Sequence, residues 1–209
     1  MPEEKLTQKE RMEQGLLYDP ASEEILKDQA LLLDGLREFN ALSSSQVAEK
    51  EAYMHRVFAE CGKNCYIELP FHANFGGAHV HFGDDIYANF NLTMVDDGHI
   101  YVGNHSMFGP NVTVITAGHT INPKIRRNTQ YNRDVHIGEN VWIGACVTIL
   151  PGVTIGDNSV IGAGSVVTKD IPSNVVAVGN PCRVLRPIDE RDEKYFYRDS
   201  PIDWENIPE

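Results

Sequence analysis

The stretch from Val135 to Asp170, VHIGEN VWIGAC VTILPG VTIGDN SVIGAG SVVTKD, repeats a six-residue pattern without a gap. The third place of each repeat is β-branched: Ile137, Ile143, Ile149, Ile155, Ile161 and Val167. Such residues are stiff at χ1 and suit a pleated, buried surface. A helix needs apolar residues about 3.6 apart, so this period predicts short strands that meet at corners. We therefore expect an all-β solenoid in which each unit buries its apolar face against its neighbours.

The same spacing appears upstream and is then interrupted. Apolar residues recur every six positions in two series: Phe82, Ala88, Met94 and then Val102, Phe108, Val114. Two extra residues separate the first series from the second. The next step, from Val114 to Ile137, is no multiple of six, so the chain leaves the solenoid and returns. This extruded loop, residues 118–134, is rich in cations: Lys124, Arg126, Arg127 and Arg133. Long loops on a rigid scaffold usually carry function; a tolerated surface insertion is the alternative.

The amino-acid composition limits which classes of function are possible. The 209 residues carry a net charge of −12, and the excess acid lies at the two ends of the chain. An acidic chain lacks the basic face that a phosphate backbone requires, which excludes nucleic acid as a partner. No membrane span or hydrophobic signal core is present, so a cytoplasmic protein is expected. The four cysteines lack zinc-finger spacing and are expected to be free: Cys61, Cys65, Cys146 and Cys182.

Three regions are predicted along the chain. Residues 1–60 form an N-terminal helical segment, because a loose apolar stripe runs through them from Leu16 to Phe39. Residues 61–188 form the solenoid, with the extruded loop at 118–134. Residues 189–209 form a C-terminal arm rich in acids and aromatics. The helices are expected to pack beside the first coils and to shape one side of a pocket.

Several segments, in this order, resemble the galactoside and maltose O-acetyltransferase family: MEQGLLYD (12–19), YANFNLTMVDD (87–97), Gly118-His119-Thr120, NVWIG (140–144), IGAGSVVTKDIP (161–172) and GNPCRVLR (179–186). The resemblance implies a left-handed parallel β-helix, three hexapeptides to a coil, assembled as a homotrimer. Residues 18 apart would stack, so that Ile137 lies over Ile155, Ile143 over Ile161 and Ile149 over Val167. Acetyl-CoA would lie in a groove between two chains, with the acceptor under the extruded loop.

The resemblance also implies roles for acceptor-side residues. His119 matches the family's general base, which takes a proton from the acceptor hydroxyl during direct acetyl transfer. Asn89 and Asp97 match positions that contact the acceptor, and amides and carboxylates do hydrogen-bond sugar hydroxyls. Asp19 lies one place from an acceptor-binding carboxylate of some members and is a candidate. At HANFGGAHV (72–80) this chain departs from the family, and Asn74 stands where members often have Asp or Ser.

On the donor side, the resemblance places small residues, Ala145 and Ala163, where the pantetheine arm would lie. Thr168 and Lys169 match residues near the distal part of CoA, and Arg183 and Arg186 are placed to meet its phosphates, which guanidinium groups bind well. Trp142 precedes inward-facing Ile143, so it is expected to point outward into the groove between subunits. Solvated surface charges are the alternative for the cations.

Together these features predict an acetyl-CoA-dependent sugar O-acetyltransferase. Alternatives are acetylation of another hydroxylated small molecule, such as an antibiotic, and a non-catalytic hexapeptide scaffold. Four histidines suggest a zinc site like that of the γ-class carbonic anhydrases: His79, His81, His99 and His105. The sequence lacks the His-x4-His ligand pair of that class, so no metal is expected.

Overall fold

The computed structural model describes residues 5–207. Its centre is a solenoid with three faces, each a parallel sheet built from successive coils. The first face contains Glu60–Cys61, Val80–Phe82, Ile100–Val102, Val135–Ile137 and Thr154–Ile155. The second contains Tyr66–Ile67, Tyr87–Ala88, Met107–Phe108, Trp142–Ile143, Val160–Ile161 and Val175–Val178, with Arg183–Pro187 added antiparallel. The third contains Phe71–Ala73, Leu92–Val95, Thr113–Ile115, Thr148–Ile149 and Val166–Val167.

The predicted solenoid and its stacking register are confirmed. Ile137 pairs with Ile155 and Ile143 with Ile161, and Ile149 pairs with Val167 in the same way. All of these side chains point inward and are buried. The upstream series joins the same register, because Phe82 pairs with Val102. The core is therefore a continuous apolar column along the solenoid axis, which each coil extends by one layer.

Two of the three corners are regular. Between the first and second faces the chain turns through residues with positive φ: Asn64, Asp85, His105, Asn140, Asn158 and Asn174. Between the second and third faces the corresponding residues are Asn91, Asn111, Cys146 and Gly164. Asn and Gly tolerate this left-handed conformation better than other residues. Repeated Asn and Gly in the hexapeptides thus set where the chain turns.

The third corner, between the third and first faces, collects the irregular segments. Residues 74–79, 96–99 and 116–134 all connect a third-face strand to the next first-face strand. The segment with the two extra residues, 96–99, and the extruded loop therefore lie at the same edge of the solenoid. The longest segment begins and ends as an antiparallel pair, Ala117–Gly118 with Tyr131–Asn132, and holds a short 3-10 helix, Arg126–Asn128.

Three helices cover the N-terminal end: α1 (Gln8–Glu13), α2 (Glu23–Asn40) and α3 (Val47–Val57). Phe39 of α2 stacks on Tyr53 of α3 at 4.3 Å and meets the ring of Phe71 edge-on at 6.3 Å. The helices thus cap the open end of the apolar column. The C-terminal arm forms a hairpin, Tyr195–Tyr197 with Ser200–Pro201, and a 3-10 turn, Trp204–Asn206. None of the helices within residues 5–207 has the length and apolarity needed to cross a membrane.

Candidate active site

His119 stands where the extruded loop leaves the solenoid. The strand pair at the loop base packs Tyr131 against Gly118 so closely that a Cβ there would lie 2.8 Å from the tyrosine ring. A larger residue directly before His119 would displace the Tyr131 ring. The imidazole is exposed, and its Nδ1 lies 2.8 Å from the carbonyl oxygen of Thr129 and 3.2 Å from that of Arg126.

These carbonyl contacts assign the tautomer of His119. A carbonyl oxygen only accepts hydrogen bonds, so Nδ1 must carry the proton that it donates to Thr129. In the neutral ring Nε2 then holds the lone pair and points away from the loop backbone. An oriented imidazole with a free basic nitrogen is the arrangement that a general base requires.

A cleft of about 550 Å³ adjoins His119. Its walls are the N-terminal segment on one side and the loop on the other: Gly15, Leu16, Leu17, Thr120, Ile121, Tyr131 and Arg133. Ile121 is 88% exposed, and Leu16 and Leu17 are also exposed. In a single chain the cleft is therefore open and rimmed by apolar side chains.

Asp97 lies behind this cleft in a buried polar cluster. Its Oδ1 accepts from Gln130 Nε2 at 2.6 Å, and the Tyr18 hydroxyl oxygen lies 3.5 Å from it. Its Oδ2 accepts from Asn74 Nδ2 at 2.8 Å, and its backbone carbonyl accepts from Asn132 Nδ2 at 2.8 Å. The structure thus brings predicted residues Asn74 and Asp97 together, with each carboxylate oxygen of Asp97 already accepting one hydrogen bond.

The neighbouring Asp96 has a structural task. Its fully buried carboxylate accepts from the backbone N–H groups of Phe75 at 2.7 Å and Gly77 at 3.0 Å. Burial raises the pKa of this carboxyl, and these donors partly oppose the shift. Asp96 thereby fixes the segment 74–79, where the chain departs from the family pattern, and so fixes Asn74 against Asp97.

Asp19 lies outside this cluster. Its Oδ1 accepts from the backbone N–H of Ala21 at 2.9 Å, and its own N–H donates to Gln8 Oε1 at 2.7 Å. It is exposed and does not line the cleft beside His119. The side chain closes the turn that precedes α2.

A second depression, of about 500 Å³, runs along the second face and contains four predicted site residues: Asn89, Trp142, Ala145 and Ala163. The indole is 53% exposed, so the prediction that Trp142 points outward is confirmed. Its lining includes six alanine, glycine and proline residues, which leave room for a narrow chain beside the larger side chains. Asn89 Oδ1 accepts from the N–H of Phe90 at 2.8 Å, so this side chain also stabilises its corner.

The predicted cations differ in how they are held. Lys169 and Arg183 are exposed and form no ion pair within residues 5–207. Arg186 instead pairs with Asp192 through two hydrogen bonds of 2.6 and 2.7 Å. The guanidinium lowers the pKa of Asp192 to about 2, aided by the backbone N–H of Asp189. Thr168 is exposed beside Lys169.

The His119 cleft and the second-face depression share no residue. One chain therefore does not bring His119 together with Asn89, Trp142 or the alanines. Among the described residues, no group of three or more His, Cys, Asp or Glu side chains is arranged to hold a metal ion.

The sequence reasoning missed three buried members of the polar cluster, Tyr18, Gln130 and Asn132. Tyr18 lies more than 100 residues before Gln130 and Asn132 along the chain, and the three belong to no recognisable spacing. The sequence carried no signal for them: only the structure shows that buried and more exposed residues alternate between Gln130 and Arg133, as in a strand with one covered face. Polar residues at both buried places indicate a buried polar partner.

A coiled parallel sheet of hexapeptides with a histidine-bearing loop is the architecture expected of a hexapeptide-repeat acyltransferase, and comparison with known proteins agrees. The bacterial transferase hexapeptide model, of six repeats, matches residues 134–169. The maltose acetyltransferase capping model matches residues 11–62. A galactoside O-acetyltransferase of Lactococcus lactis is 53% identical over 200 residues, 95% of this chain and 97% of that protein.

Solved structures agree as well. A galactoside acetyltransferase in complex with coenzyme A has a TM-score of 0.90 at 42% identity, covering 95% of this chain and 100% of that one. A maltose O-acetyltransferase from Clostridium difficile gives 0.86 at 41%, covering 88% and 99%. The chain therefore belongs to the galactoside and maltose O-acetyltransferase family. It is an O-acetyltransferase whose acetyl donor is acetyl-CoA.

Proposed function

We propose that this enzyme acetylates a hydroxyl of a sugar of the galactoside, maltose or glucose type, with His119 as general base. The observation that carries the proposal is the contact between His119 Nδ1 and the Thr129 carbonyl, which leaves Nε2 as the free basic nitrogen. The names of the relatives, galactoside and maltose O-acetyltransferases, support a sugar acceptor.

In the proposed reaction, Nε2 of His119 takes the proton of the acceptor hydroxyl as its oxygen bonds to the acetyl carbonyl carbon. The carbon–sulfur bond breaks, and the proton held by His119 can pass to the departing thiolate. Atoms and charge balance without an acyl-enzyme intermediate. The Thr129 carbonyl stabilises the imidazolium that forms, because its hydrogen bond with Nδ1–H becomes charge-assisted.

The donor is proposed to lie along the second face. The pantetheine arm of acetyl-CoA is narrow and flexible, and the depression floored by Ala145 and Ala163 offers a channel of small side chains. Thr168, Lys169 and Arg183 are exposed and are proposed to contact the distal part of CoA. Lys169 and Arg183 can contact its phosphates.

Because the donor depression and the His119 cleft share no residue, we infer that each site is completed by a second chain in a homotrimer. The His119 loop of one chain would meet the second face of the next. The exposed apolar rim of the cleft supports this arrangement, since Leu16, Leu17 and Ile121 would be covered by the neighbour.

His119→Ala tests the chemistry. The variant should bind acetyl-CoA as the wild type does, because the change leaves intact the second-face depression and the cations that are proposed to hold the donor. Its acetylation rate should fall roughly 10²–10⁴-fold with galactosides, maltose and glucose as acceptors, measured by thiol release. His55→Ala, an exposed change on α3, is the control and should keep full activity. Retention of more than about a third of wild-type turnover by His119→Ala would remove His119 from the mechanism.

A further inference from the structure

Tyr18 joins the N-terminal segment to the extruded loop. Its backbone N–H and C=O exchange two hydrogen bonds of 3.0 Å with Gln130, an antiparallel bridge. Its side chain is almost fully buried. Its hydroxyl lies 2.6 Å from Gln130 Nε2 and 3.0 Å from Asn132 Oδ1. Backbone and side chain thus attach at the same place, directly after Thr129.

The hydrogen bonds of this cluster are fully assigned by the chemistry of its groups. Gln130 Nε2 has two hydrogens, which it donates to the Tyr18 hydroxyl and to Asp97 Oδ1. The hydroxyl accepts from Gln130 and donates its own proton to Asn132 Oδ1. Burial, and then the charge of Asp97, raises the pKa of Tyr18, so the hydroxyl keeps that proton through the working pH range.

The rest of the loop has few other attachments. Residues 121–128 are all exposed, and the side-chain hydrogen bonds within that stretch stay inside the loop, as in Arg126 to the Thr120 carbonyl. The strand pair at the loop base holds Gly118 directly before His119. A second connection runs from Asp97 through Gln130, which Tyr18 also contacts, to the Thr129 carbonyl that accepts from Nδ1. The loop position that orients the imidazole is set by a buried cluster on its inner side.

We propose that Tyr18 and Gln130 are positioning residues for His119: they anchor Thr129 to Asp97 and thereby hold the imidazole in its Nδ1–H form with Nε2 facing the acceptor. The inference rests on the proposed function of His119. In the free enzyme, the Asp97 carboxylate is then the fixed acceptor to which Gln130 of the loop donates its hydrogen bond. Neither Tyr18 nor Gln130 touches the reacting atoms.

The test uses Tyr18→Phe, which removes one oxygen atom, and Gln130→Ala. Each should lower kcat roughly tenfold, since small misplacements of a catalytic group have effects of up to about 10²-fold, and leave KM for acetyl-CoA within about twofold. The 15N spectrum of histidine-labelled protein should show His119 moving from the Nδ1–H form toward a mixture of tautomers. This spectrum needs no turnover.

Tyr53→Phe is the matched control. Tyr53 is also a buried tyrosine, and its hydroxyl donates to the Gly76 carbonyl at 2.9 Å. Its loss should lower the melting temperature as Tyr18→Phe does, without changing kcat or the His119 tautomer. If Tyr18→Phe and Gln130→Ala also lose only stability, the positioning role is refuted. If His119→Ala stays active while the tautomer shifts in Tyr18→Phe, the proposed general base fails and the anchoring of His119 stands.

Discussion

Side chains of this site differ in whether their bonding capacity is already used inside the chain. Asp97 accepts from two side-chain donors, Asn74 and Gln130, and Arg186 is held by Asp192 through two bonds. His119 and Lys169 are exposed. Arg183 is exposed too and uses only Nη1, which donates to the adjacent Cys182 carbonyl at 2.6 Å. A group that must first give up a partner gains less from a ligand than one that is free. The free groups are therefore the better candidates for substrate contact, although the family resemblance alone gives them equal weight.

Arg183 and Arg186 are a matched pair for the donor site. Arg183→Ala should weaken acetyl-CoA binding by roughly tenfold, because a charge-assisted phosphate contact is lost. Arg186→Ala should change it less, because that guanidinium already neutralises Asp192. Calorimetry at two salt concentrations measures both, and the loss should shrink at high salt. Equal losses would show that Arg186 leaves Asp192 to bind the donor.

At the scale of elements, the sequence predicts the three faces of the solenoid but not the structure of the third corner. Ile137, Ile143 and Ile149 stack as predicted because a buried column accepts only one register. The structure of the third corner depends on pairings such as Tyr18 with Gln130. These hydrogen bonds join segments that are distant along the chain, and no periodic pattern in the sequence predicts them. The sequence showed that the chain left the solenoid between Val114 and Ile137. It did not show that the N-terminal segment would hold the loop.

The regular corners suggest a stabilising change. His105 has φ 61° at a corner where Asn occupies four of the six places. The asparagine side chains there also bond along the corner, Asn140 to Asn158 at 3.1 Å and Asn158 to Asn174 at 2.9 Å. His105→Asn should therefore stabilise the fold by about 0.5–1 kcal/mol, since Asn adopts this conformation with less strain. His105→Ala is the control and should destabilise it; thermal melting at pH 8 measures both.

The first face carries an acid-sensitive histidine cluster. His81 Nε2 lies 2.8 Å from His99 Nδ1, so a single proton fits between them. Burial lowers the pKa of His99, and the nearby His79 and His81 lower it further, against the opposing charge of Asp134. Glu60 approaches His81 Nδ1 at 3.1 Å, but outside hydrogen-bonding geometry. The fold therefore favours neutral His99.

Because the folded pKa of His99 lies below its unfolded value near 6.5, stability should be full above about pH 7. It should fall as the pH drops through that value, since the unfolded chain then binds a proton that the fold resists. His99→Gln should flatten this fall in melting temperature between pH 7.5 and roughly pH 5.5. His55→Gln, an exposed change, should leave the slope as in the wild type. An unchanged slope in His99→Gln would assign the acid sensitivity to other groups.

For the whole molecule, the separation of the two clefts makes the shared-site proposal testable by mixing chains. His119→Ala disables the loop side of a site, and Ala163→Trp should block the second-face depression. Each variant alone should be inactive and should sediment at about three times 23.4 kDa. In a cyclic trimer every site combines the loop of one chain with the second face of the next.

Mixed trimers of the two variants therefore contain some sites with an intact loop from the Ala163→Trp chain and an intact depression from the His119→Ala chain. Random assembly of equal amounts gives about a quarter of the sites this composition, so unfolding and refolding the mixture together should restore about a quarter of wild-type activity. Mixing without refolding is the control and should restore none, because each intact homotrimer carries only one of the two variants. If each site lay within one chain, no mixture could regain activity, and the sharing of the site between subunits would be refuted.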